Sequence, residues 1–446
     1  MQVTEALARY ASSLETSPPP EAVVHHAKRA VVDWFASAFA GLDTPPTPML
    51  AQVLADDLGH GRACLLNGGK ATARAAALIH GAAAHAAEVD DSFRDAMYHP
   101  GAATVAAALA AAQQSGCSGL RFLHAVIAGY EISTRIGVAL GRAHYRYWHN
   151  SGTVGTFGAA TAAGVALSLG EAGHGHALAT AATFAAGLQQ AFRTDSMSKP
   201  LHTGRAAEGG YLAAQLAAAG VTGGRDVLEG EGGLGVAMSG QANWSDVALT
   251  LGRDFHIARL TVKNHVGCGH TFAAVDAAIE LRRDASFAVD DVTRIAIETY
   301  RPAVEIACHV NPLTPNEARF SMRYMVASAL INGSVRQQAF SPAQLTDPTV
   351  RRLMTCTEVI VSPELDAAFP GERSARVEVT LQGGERLVHV QRHRRGDPEL
   401  PLSDEELNAK FMELVSPVVG AVSARNLLGQ LWSLEDRPDV AGLGGA

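Results

Sequence analysis

The sequence predicts a mainly α protein in which a large all-helical domain is accompanied by a smaller α+β domain. At 446 residues the chain is too long for one ordinary hydrophobic core. Apolar residues make up 47% of it and charged residues 18%, which is typical of a well-buried globular protein. Helical periodicity dominates up to about residue 260, whereas β-branched and partly alternating segments occur only after it.

Helical spacing and small residues mark the first part of the chain. Three prolines precede the run 21–41 and Gly41 ends it, which are signals that begin and end a helix. Glu131 and Arg135 stand four residues apart, the spacing at which opposite charges meet along one helix face. The many Ala and Gly residues predict close packing between helices. The runs predicted to be helical are 21–41, 47–58, 70–88, 101–115, 120–140, 154–169 and 172–191.

The second part of the chain alternates strands and helices. Gly383 and Gly384 separate the last two predicted strands and indicate a hairpin. Ser403 and the acidic residues after it indicate the start of a helix that returns to the first domain. We therefore predict an all-helical domain over 1–262, completed by 403–446, and an α+β domain over 263–402. The predicted strands are 292–300, 357–364, 374–384 and 385–393, with helices over 268–284 and 316–332.

Composition excludes several classes of function. A net charge of −8 argues against a nucleic-acid partner and against binding to an anionic membrane. The five cysteines are scattered without a C-x-x-C pair, so neither a zinc knuckle nor an iron–sulfur site is indicated. Free cysteines, no secretory signal and no convincing membrane span predict a soluble cytoplasmic protein.

The stretch from His80 to Ala112 is the most informative one. It joins two Ala-rich helices by a polar loop with adjacent carboxylates, Asp90 and Asp91, and with His99 before Pro100. Because proline disfavours helical geometry in the preceding residue, His99 should stand at the mouth of the second helix. The free amides and the dipole at the start of that helix would favour a carboxylate there. Ordinary turn residues, or a metal site of Asp90, Asp91 and His99 without a standard ligand spacing, are the alternatives.

Three further polar clusters interrupt the apolar background. Pro200 fixes the turn after Lys199, and a lysine buried there would be a usable proton donor or acceptor. Cys268 and His270 could form a thiolate–imidazole pair, but a small buried cysteine is the commoner case. These residue types suit proton transfer beside carboxylates, without a metal or organic cofactor. The clusters are His144, Tyr145, Tyr147, Trp148 and His149; Arg193, Lys199, His202 and Arg205; and Lys263, His265, Cys268 and His270.

Taken in order, these clusters resemble the MmgE/PrpD family over nearly the whole chain. The matching segments are AHAAEVDDSFRDAMYHPGAA, GYEISTRIG, WHNSGTVGTFGAA, SKPLHTGRAAEGGYLAAQL, CGHTFAAVDAA and EARFSMRYMVASALINGSV. The resemblance implies a large helical domain, a smaller α+β domain and a homodimer. It also implies activity on small polycarboxylates without an organic cofactor, as in 2-methylcitrate dehydratase, cis-aconitate decarboxylase and iminodisuccinate epimerase.

The resemblance also implies site residues. Asp90 (or Asp91), His99, His149, Lys199 and Tyr324 match the acid, histidines, lysine and tyrosine of the family. Many members have a histidine four residues before the position of Asp276, whereas this chain has Phe272, and His270 is a candidate to replace it. The catalytic residues that we predict are His149, Lys199, Tyr145, Tyr147, His99 and Asp90. The predicted substrate-binding residues are Asp91, Arg193, His202, Arg205, His270 and Tyr324.

Loss of that histidine favours a reaction that needs only two facing proton-transfer groups. The chain is similar to the iminodisuccinate epimerases, so we expect an epimerase of a small polycarboxylate, with His149 or a neighbouring tyrosine opposite Lys199. A lyase of the same family, either the dehydratase or the decarboxylase, is the first alternative. A non-catalytic polycarboxylate-binding dimer is the second.

Overall fold

The computed structural model describes residues 2–192 and 196–445, and these pack as two compact units. The first unit comprises the residues up to Val262 together with those from Ser403 onward, and the second is Lys263–Leu402. Helices dominate the first unit, and the second combines helices with a small sheet. The predicted class, a mainly α chain with a smaller α+β region, is confirmed. That the units are the domains 1–262 with 403–446 and 263–402 stays a prediction.

The first unit contains long helices and one short hairpin. None of the helices in the described part of the chain has both the length and the hydropathy to cross a membrane. The hairpin consists of β1 (Leu58–Cys64) and β2 (Lys70–Ala71). The helices are α1 (Val3–Ser13), α2 (Glu21–Gly41), α3 (Thr47–Val53), α4 (Ala73–Ala86), α5 (Pro100–Ser115), α6 (Gly119–Tyr145), α7 (Asn150–Ala166), α8 (Glu171–Phe184), α9 (Ser198–Ala218) and α10 (Leu234–Met238).

The hairpin corrects the prediction that the first unit is helical throughout. The run predicted as a helix over 47–58 ends at Val53, and the one predicted over 70–88 begins only at Ala73. Gly68 and Gly69 form the turn with φ of 92° and 87°, a left-handed geometry that glycine adopts without strain. These glycines were a turn signal that the periodicity argument did not use.

Small residues bring the helices of the first unit close together. Every residue of α7 is buried, so this helix lies at the centre of the unit. A Cβ at Gly210 of α9 would lie 2.6 Å from the backbone nitrogen of Ala160 in α7. A Cβ at Gly204, on the same helix, would lie 2.5 Å from the carbonyl oxygen of Leu78 in α4. Glycine at these positions therefore allows α9 to approach both neighbours at backbone distance.

The second unit is built around a four-stranded mixed sheet. The strand order is β4-β3-β5-β6, with β4 parallel to β3 and the other pairs antiparallel. All four predicted strands are present, and β5 and β6 form the predicted hairpin. The helix predicted over 316–332 is divided at Phe320. The elements are α11 (Phe272–Asp284), β3 (Val292–Thr299), α12 (Arg301–Ile306), α13 (Pro315–Arg319), α14 (Met322–Asn332), α15 (Pro342–Leu345), α16 (Pro348–Thr355), β4 (Thr357–Val361), α17 (Pro363–Ala368), β5 (Ala375–Leu381) and β6 (Arg386–Gln391).

The chain returns to the first unit through α18 (Asp404–Val419) and α19 (Ala421–Trp432). Ser403 and Glu406 form a capping box at the start of α18, as the sequence predicted from the serine. Lys410 of α18 is fully buried, and its Nζ donates to Asp33 of α2 at 2.5 Å and to the carbonyl oxygen of Val89 at 2.8 Å. Helix α18 thus holds the backbone immediately before Asp90.

Candidate active site

The loop between α4 and α5 carries the first group of predicted site residues. After α4 ends, Glu88 turns the chain with a left-handed φ of 58°. Backbone hydrogen bonds then join Phe93 and Tyr98 in both directions, at 2.7 and 3.3 Å, around one 3₁₀ turn. This closed loop places His99 at the N-cap position of α5. Asp90 and Asp91 lie in the same loop just before Phe93, and their side chains are both buried.

The carboxylate of Asp91 occupies part of the N-terminus of α5. Its Oδ1 accepts a hydrogen bond from the amide of Gly101 at 3.0 Å, and its Oδ2 accepts one from the hydroxyl of Tyr130 at 2.8 Å. Burial raises the pKa of Asp91 to about 8, with further contributions from the charges of Asp33 and Asp90, although both hydrogen bonds act in the opposite direction. One amide of the expected carboxylate-binding corner is therefore already bonded by the chain itself.

Two histidines flank Asp90. The Nδ1 atom of His85 lies 2.6 Å from Asp90 Oδ2, and the Nδ1 atom of His99 lies 3.4 Å from the same oxygen. His99 Nδ1 is also 2.7 Å from the carbonyl oxygen of Asp91. The rings of His85 and His99 meet edge to face with 4.9 Å between their centroids. Asp90 is therefore hydrogen-bonded to His85 and lies within ion-pair distance of His99.

His149, at the start of α7, adds a third imidazole to this arrangement. It stands at the N-cap of α7, where its amide donates to the carbonyl oxygen of Gly187 at 2.9 Å. Its ring stacks on that of His85 at 5.6 Å, and its Nδ1 lies 3.1 Å from Nδ1 of His202. We call His99, His85, His149 and His202 the histidine row. Burial lowers the pKa of His149 well below its usual value, and the neighbouring cationic groups lower it further, so this imidazole is neutral near pH 7.

Lys199 lies beside the row in the first turn of α9. Its Nζ donates to the carboxylate of Glu88, and both side chains are about 85% shielded from solvent. Its positive charge contributes to the lowered pKa of His149 and of His202. The predicted lysine, three predicted histidines (His99, His149 and His202) and the acidic loop are thus close together in the first unit.

Three helix N-termini supply further positive potential to this cluster. His99 and His149 are the N-cap residues of α5 and α7, and Lys199 and His202 lie in the first two turns of α9. Helix N-termini favour anions, and a lysine and several imidazoles stand beside them. The arrangement can hold the carboxylates of a small substrate and transfer a proton to or from it.

The structure does not bring every predicted residue of the first unit to the row. The side chains of Tyr145 and Tyr147 are 37% and 59% exposed, and Tyr147 lies under the guanidinium of Arg146. Arg205 is about half exposed and forms an ion pair with Glu208 on the same helix. Arg193 lies outside the described residues. The roles assigned to these four residues stay predictions.

His270, Tyr324 and Phe272 belong to the second unit. His270 Nδ1 lies 2.9 Å from the hydroxyl of Tyr300, and the hydroxyl of Tyr324 donates to the carbonyl oxygen of Ala339 at 2.5 Å. Burial lowers the pKa of His270 to about 3, so its imidazole is neutral. Phe272 is buried, and its ring meets that of His265 edge to face at 5.4 Å. The substrate-binding roles of His270 and Tyr324 also stay predictions.

Sequence reasoning missed three residues that shape the cluster. His85 joins His99 to His149, Glu88 holds Lys199, and Tyr130 bonds Asp91. A usable signal existed for the first two, because they lie within the segment AHAAEVDD beside the predicted acids. Tyr130 is 39 residues away on α6, where only the packing of helices reveals it.

The same loop offers a possible cation site. His85, Asp90 and His99 each present one ligand atom, and these atoms lie within 4.8 Å of one another. Ligands of a tetrahedral zinc ion at about 2.0–2.1 Å would be separated by about 3.3 Å. The 2.6 Å between His85 Nδ1 and Asp90 Oδ2 is shorter and fits a direct hydrogen bond. A metal would have to displace that bond, so the geometry suits a hydrogen-bonded acid–base group better.

Comparison with known proteins identifies relatives along nearly the whole chain. A cis-aconitate decarboxylase-like protein of Aspergillus oryzae is 28% identical over 99% of this chain and 96% of its own length. The cis-aconitate decarboxylase of Homo sapiens is 27% identical over 98% of this chain and 93% of its own. That of Aspergillus terreus is 25% identical, with 99% and 95% covered.

Family models agree with the resemblance seen in the motifs. The MmgE/PrpD N-terminal domain matches residues 5–246, which include the histidine row and Lys199. The MmgE/PrpD C-terminal domain matches residues 265–435. Together these matches cover well over half of the chain, and the chain therefore belongs to the MmgE/PrpD family.

Proposed function

We propose that this protein is a lyase that decarboxylates a small tricarboxylate of the cis-aconitate type, without a metal or an organic cofactor. The observation that carries the reaction class is the full-length similarity to relatives named cis-aconitate decarboxylase. These relatives favour the lyase alternative over the epimerase that the sequence analysis put first. The clustered residues of the first unit support chemistry on carboxylates, which the two reactions share.

The proposed reaction requires the enzyme to supply one proton. The bond between the CH₂ carbon and its carboxylate breaks, CO₂ leaves, and the electron pair forms a new double bond to the central carbon. The electron pair of the original double bond then takes up a proton at the far carbon. The product is a dicarboxylate with a terminal methylidene group. Buried imidazoles are suitable proton donors for that carbon.

The structure supports the following roles. Lys199 and His99, with the helix N-termini beside them, hold the carboxylates that remain on the substrate. His149 donates the proton, because it is buried and its Nδ1 is bonded to a second imidazole. Asp90 orients His85 and His99, and Asp91 accepts a hydrogen bond from the amide of Gly101 in the first turn of α5. The homodimer implied by the family remains part of the proposal, and light scattering coupled to size-exclusion chromatography tests it.

Proton NMR in deuterated water tests the reaction. We expect cis-aconitate to release CO₂ and to give two methylidene proton signals, with one deuterium incorporated at the adjacent CH₂. Deuterium exchange at an α-carbon of an amino-dicarboxylate, without release of CO₂, would restore the epimerase. Binding of polycarboxylates with neither outcome would favour the non-catalytic alternative.

A substitution of Lys199 tests the site. Lys199→Ala should fold normally and lose at least about 100-fold in turnover, because the remaining carboxylates lose their main cation. Lys70→Ala, which alters an exposed lysine of β2, is the matched control and should keep full activity. Full activity of the Lys199→Ala protein would remove Lys199 from the mechanism.

A further inference from the structure

The two histidines at one end of the row share a hydrogen bond but differ in exposure. Nδ1 of His149 lies 3.1 Å from Nδ1 of His202, so one ring must carry a proton there and the other must accept it. His149 is only 3% exposed, whereas His202 is partly exposed. An imidazolium is less costly on the partly exposed ring, because burial penalises the charged form.

The backbone around His202 keeps its ring in place. A Cβ at Gly152 of α7 would lie 3.1 Å from Cβ of His202. Gly187, with a φ of 129°, would place a Cβ 3.3 Å from Cγ and from Nδ1 of the ring. The same Gly187 accepts the amide hydrogen bond of His149 through its carbonyl oxygen. Glycine on both sides leaves room for the ring beside His149, so the pair of imidazoles is preorganised.

We propose that His202 stores a second proton, which passes to His149 when His149 protonates the substrate, so that the two imidazoles form one proton-donating unit. This inference rests on the proposed decarboxylation. As the Nε2 proton of His149 moves to the substrate carbon, the Nδ1 proton of His202 moves to Nδ1 of His149, and both rings end neutral. After the product leaves, Nε2 of His149 takes a proton from water, and its Nδ1 proton returns to His202. One proton from water is consumed per CO₂ released.

His202 acts through His149 in this scheme. The sequence analysis predicted instead that His202 binds a carboxylate of the substrate. Burial lowers the pKa of both rings, and the effect on His149 is the larger one. His149 alone would therefore hold a second proton less readily than His202 does. The groups that face His202 are His149 of α7, Lys199 of its own helix and His85 of α4. Lys199 is paired with Glu88, and His85 is paired with Asp90.

Three variants separate proton storage from hydrogen bonding. In His202→Asn the amide nitrogen replaces Nδ1 as a donor to His149 but cannot be protonated, whereas His202→Ala removes the ring. The control is His176→Asn, which alters a partly exposed histidine of α8 whose Nδ1 accepts from the amide of Gly223. Release of CO₂ from cis-aconitate is followed as a function of pH, with and without added imidazole.

We expect His202→Asn to keep its melting temperature and KM and to lose at least about 10-fold in kcat. In the parent protein kcat should fall as pH rises through the pKa of His202, and this limb should be absent from the asparagine variant. Imidazole should restore part of the kcat of His202→Ala, more strongly at pH 6 than at pH 8. His176→Asn should behave like the parent.

Two results would overturn the inference. Unchanged kcat in His202→Asn would mean that His202 only orients His149, and a raised KM with unchanged kcat would mean that it binds a substrate carboxylate. Neither result would affect the decarboxylase proposal, which depends on the products of the unsubstituted protein. If that protein instead exchanges an α-proton without releasing CO₂, the decarboxylase fails, and the same variants assayed by that exchange still test proton storage.

Discussion

Two sets of histidines in the first unit both contain buried rings but differ in their surroundings. His80, His144 and His256 lie in the packed core, and each bonds a neutral group: the amide of Leu66, or the hydroxyls of Thr153 and Thr134. The members of the histidine row instead contact one another, and His85 and His99 also contact the carboxylate of Asp90. Burial lowers the pKa of all three core histidines, to about 4 for the first two and about 3 for the third.

The difference shows that burial and a lowered pKa do not by themselves indicate a site. A core histidine satisfies its hydrogen bonds with uncharged neighbours and acts as a packed polar ring. The row brings several titratable groups together, so a change of protonation at one group changes the pKa of its neighbour. Substitutions in the two sets should therefore affect different properties of the protein.

The largest effect is expected from a matched pair of substitutions. His149→Gln should lower kcat by at least about 100-fold with little change in stability, because it removes the proposed proton donor. His80→Gln should leave kcat of the folded protein unchanged and lower stability by about 1–3 kcal/mol, because a flexible and more polar side chain replaces the buried ring that accepts from the amide of Leu66. Steady-state kinetics and thermal unfolding measure both. Loss of activity in His80→Gln at full stability would erase the distinction.

The next effect concerns the buried ion pair of Lys410 and Asp33, which lies next to the backbone that precedes Asp90. Lys410→Met leaves the fully buried Asp33 without its cation and should lower the free energy of unfolding by about 3–5 kcal/mol. Adding Asp33→Asn should recover most of this loss, because the uncompensated charge disappears. Urea unfolding followed by circular dichroism measures both proteins. A single variant as stable as the parent would show that the pair contributes little.

Much of this architecture could be predicted from periodicity and local signals. Gly41 ends α2 at the predicted residue, Ser403 caps α18, and the Gly383-Gly384 hairpin is present. The β1–β2 hairpin was missed because helical spacing continued up to Leu58 and outweighed the glycine turn. Such errors arise where two local signals compete and only tertiary packing decides between them.

The site was also predictable only where local sequence signals determine the position of a residue. His99 and His149 precede helices, so their position was visible in the sequence. The contact of Lys410 with Asp33 spans 377 residues, and no local pattern reveals it. Arg205 forms an ion pair with Glu208 on the same helix, a contact that was not predicted, and its substrate-binding role stays a prediction. Long-range pairing and side-chain direction are what sequence patterns leave open.

A smaller effect should appear in the pH dependence of stability. The pKa of Asp91 is raised to about 8 in the folded protein, so the folded state retains a proton that the unfolded state loses above about pH 4. Its contribution is fully present below that pH and is lost as pH rises towards 8. His80, with a lowered pKa, has the opposite sign: its contribution is present above about pH 6.5 and is lost as pH falls towards 4.

Asp91→Asn tests this contrast. The amide stays neutral, so the parent should lose stability relative to the variant by at most about 1.4 kcal/mol per pH unit between pH 5 and 7. His80→Gln should show the reverse slope between pH 6 and 4. Unfolding free energies measured at several pH values give both slopes. Parallel curves for the parent and Asp91→Asn would mean that the Asp91 carboxylate is ionised throughout this range.

The smallest effect is expected from metal removal. His85, Asp90 and His99 contain the ligand types of a divalent-cation site, whereas the core histidines have no carboxylate partner among their hydrogen bonds described above. The bond of 2.6 Å already joins His85 Nδ1 directly to Asp90 Oδ2. Dialysis against EDTA should therefore leave kcat unchanged, and excess Zn²⁺ should inhibit by displacing that bond. A loss of activity with EDTA that one equivalent of metal restores would reverse this assignment and make Asp90 a ligand.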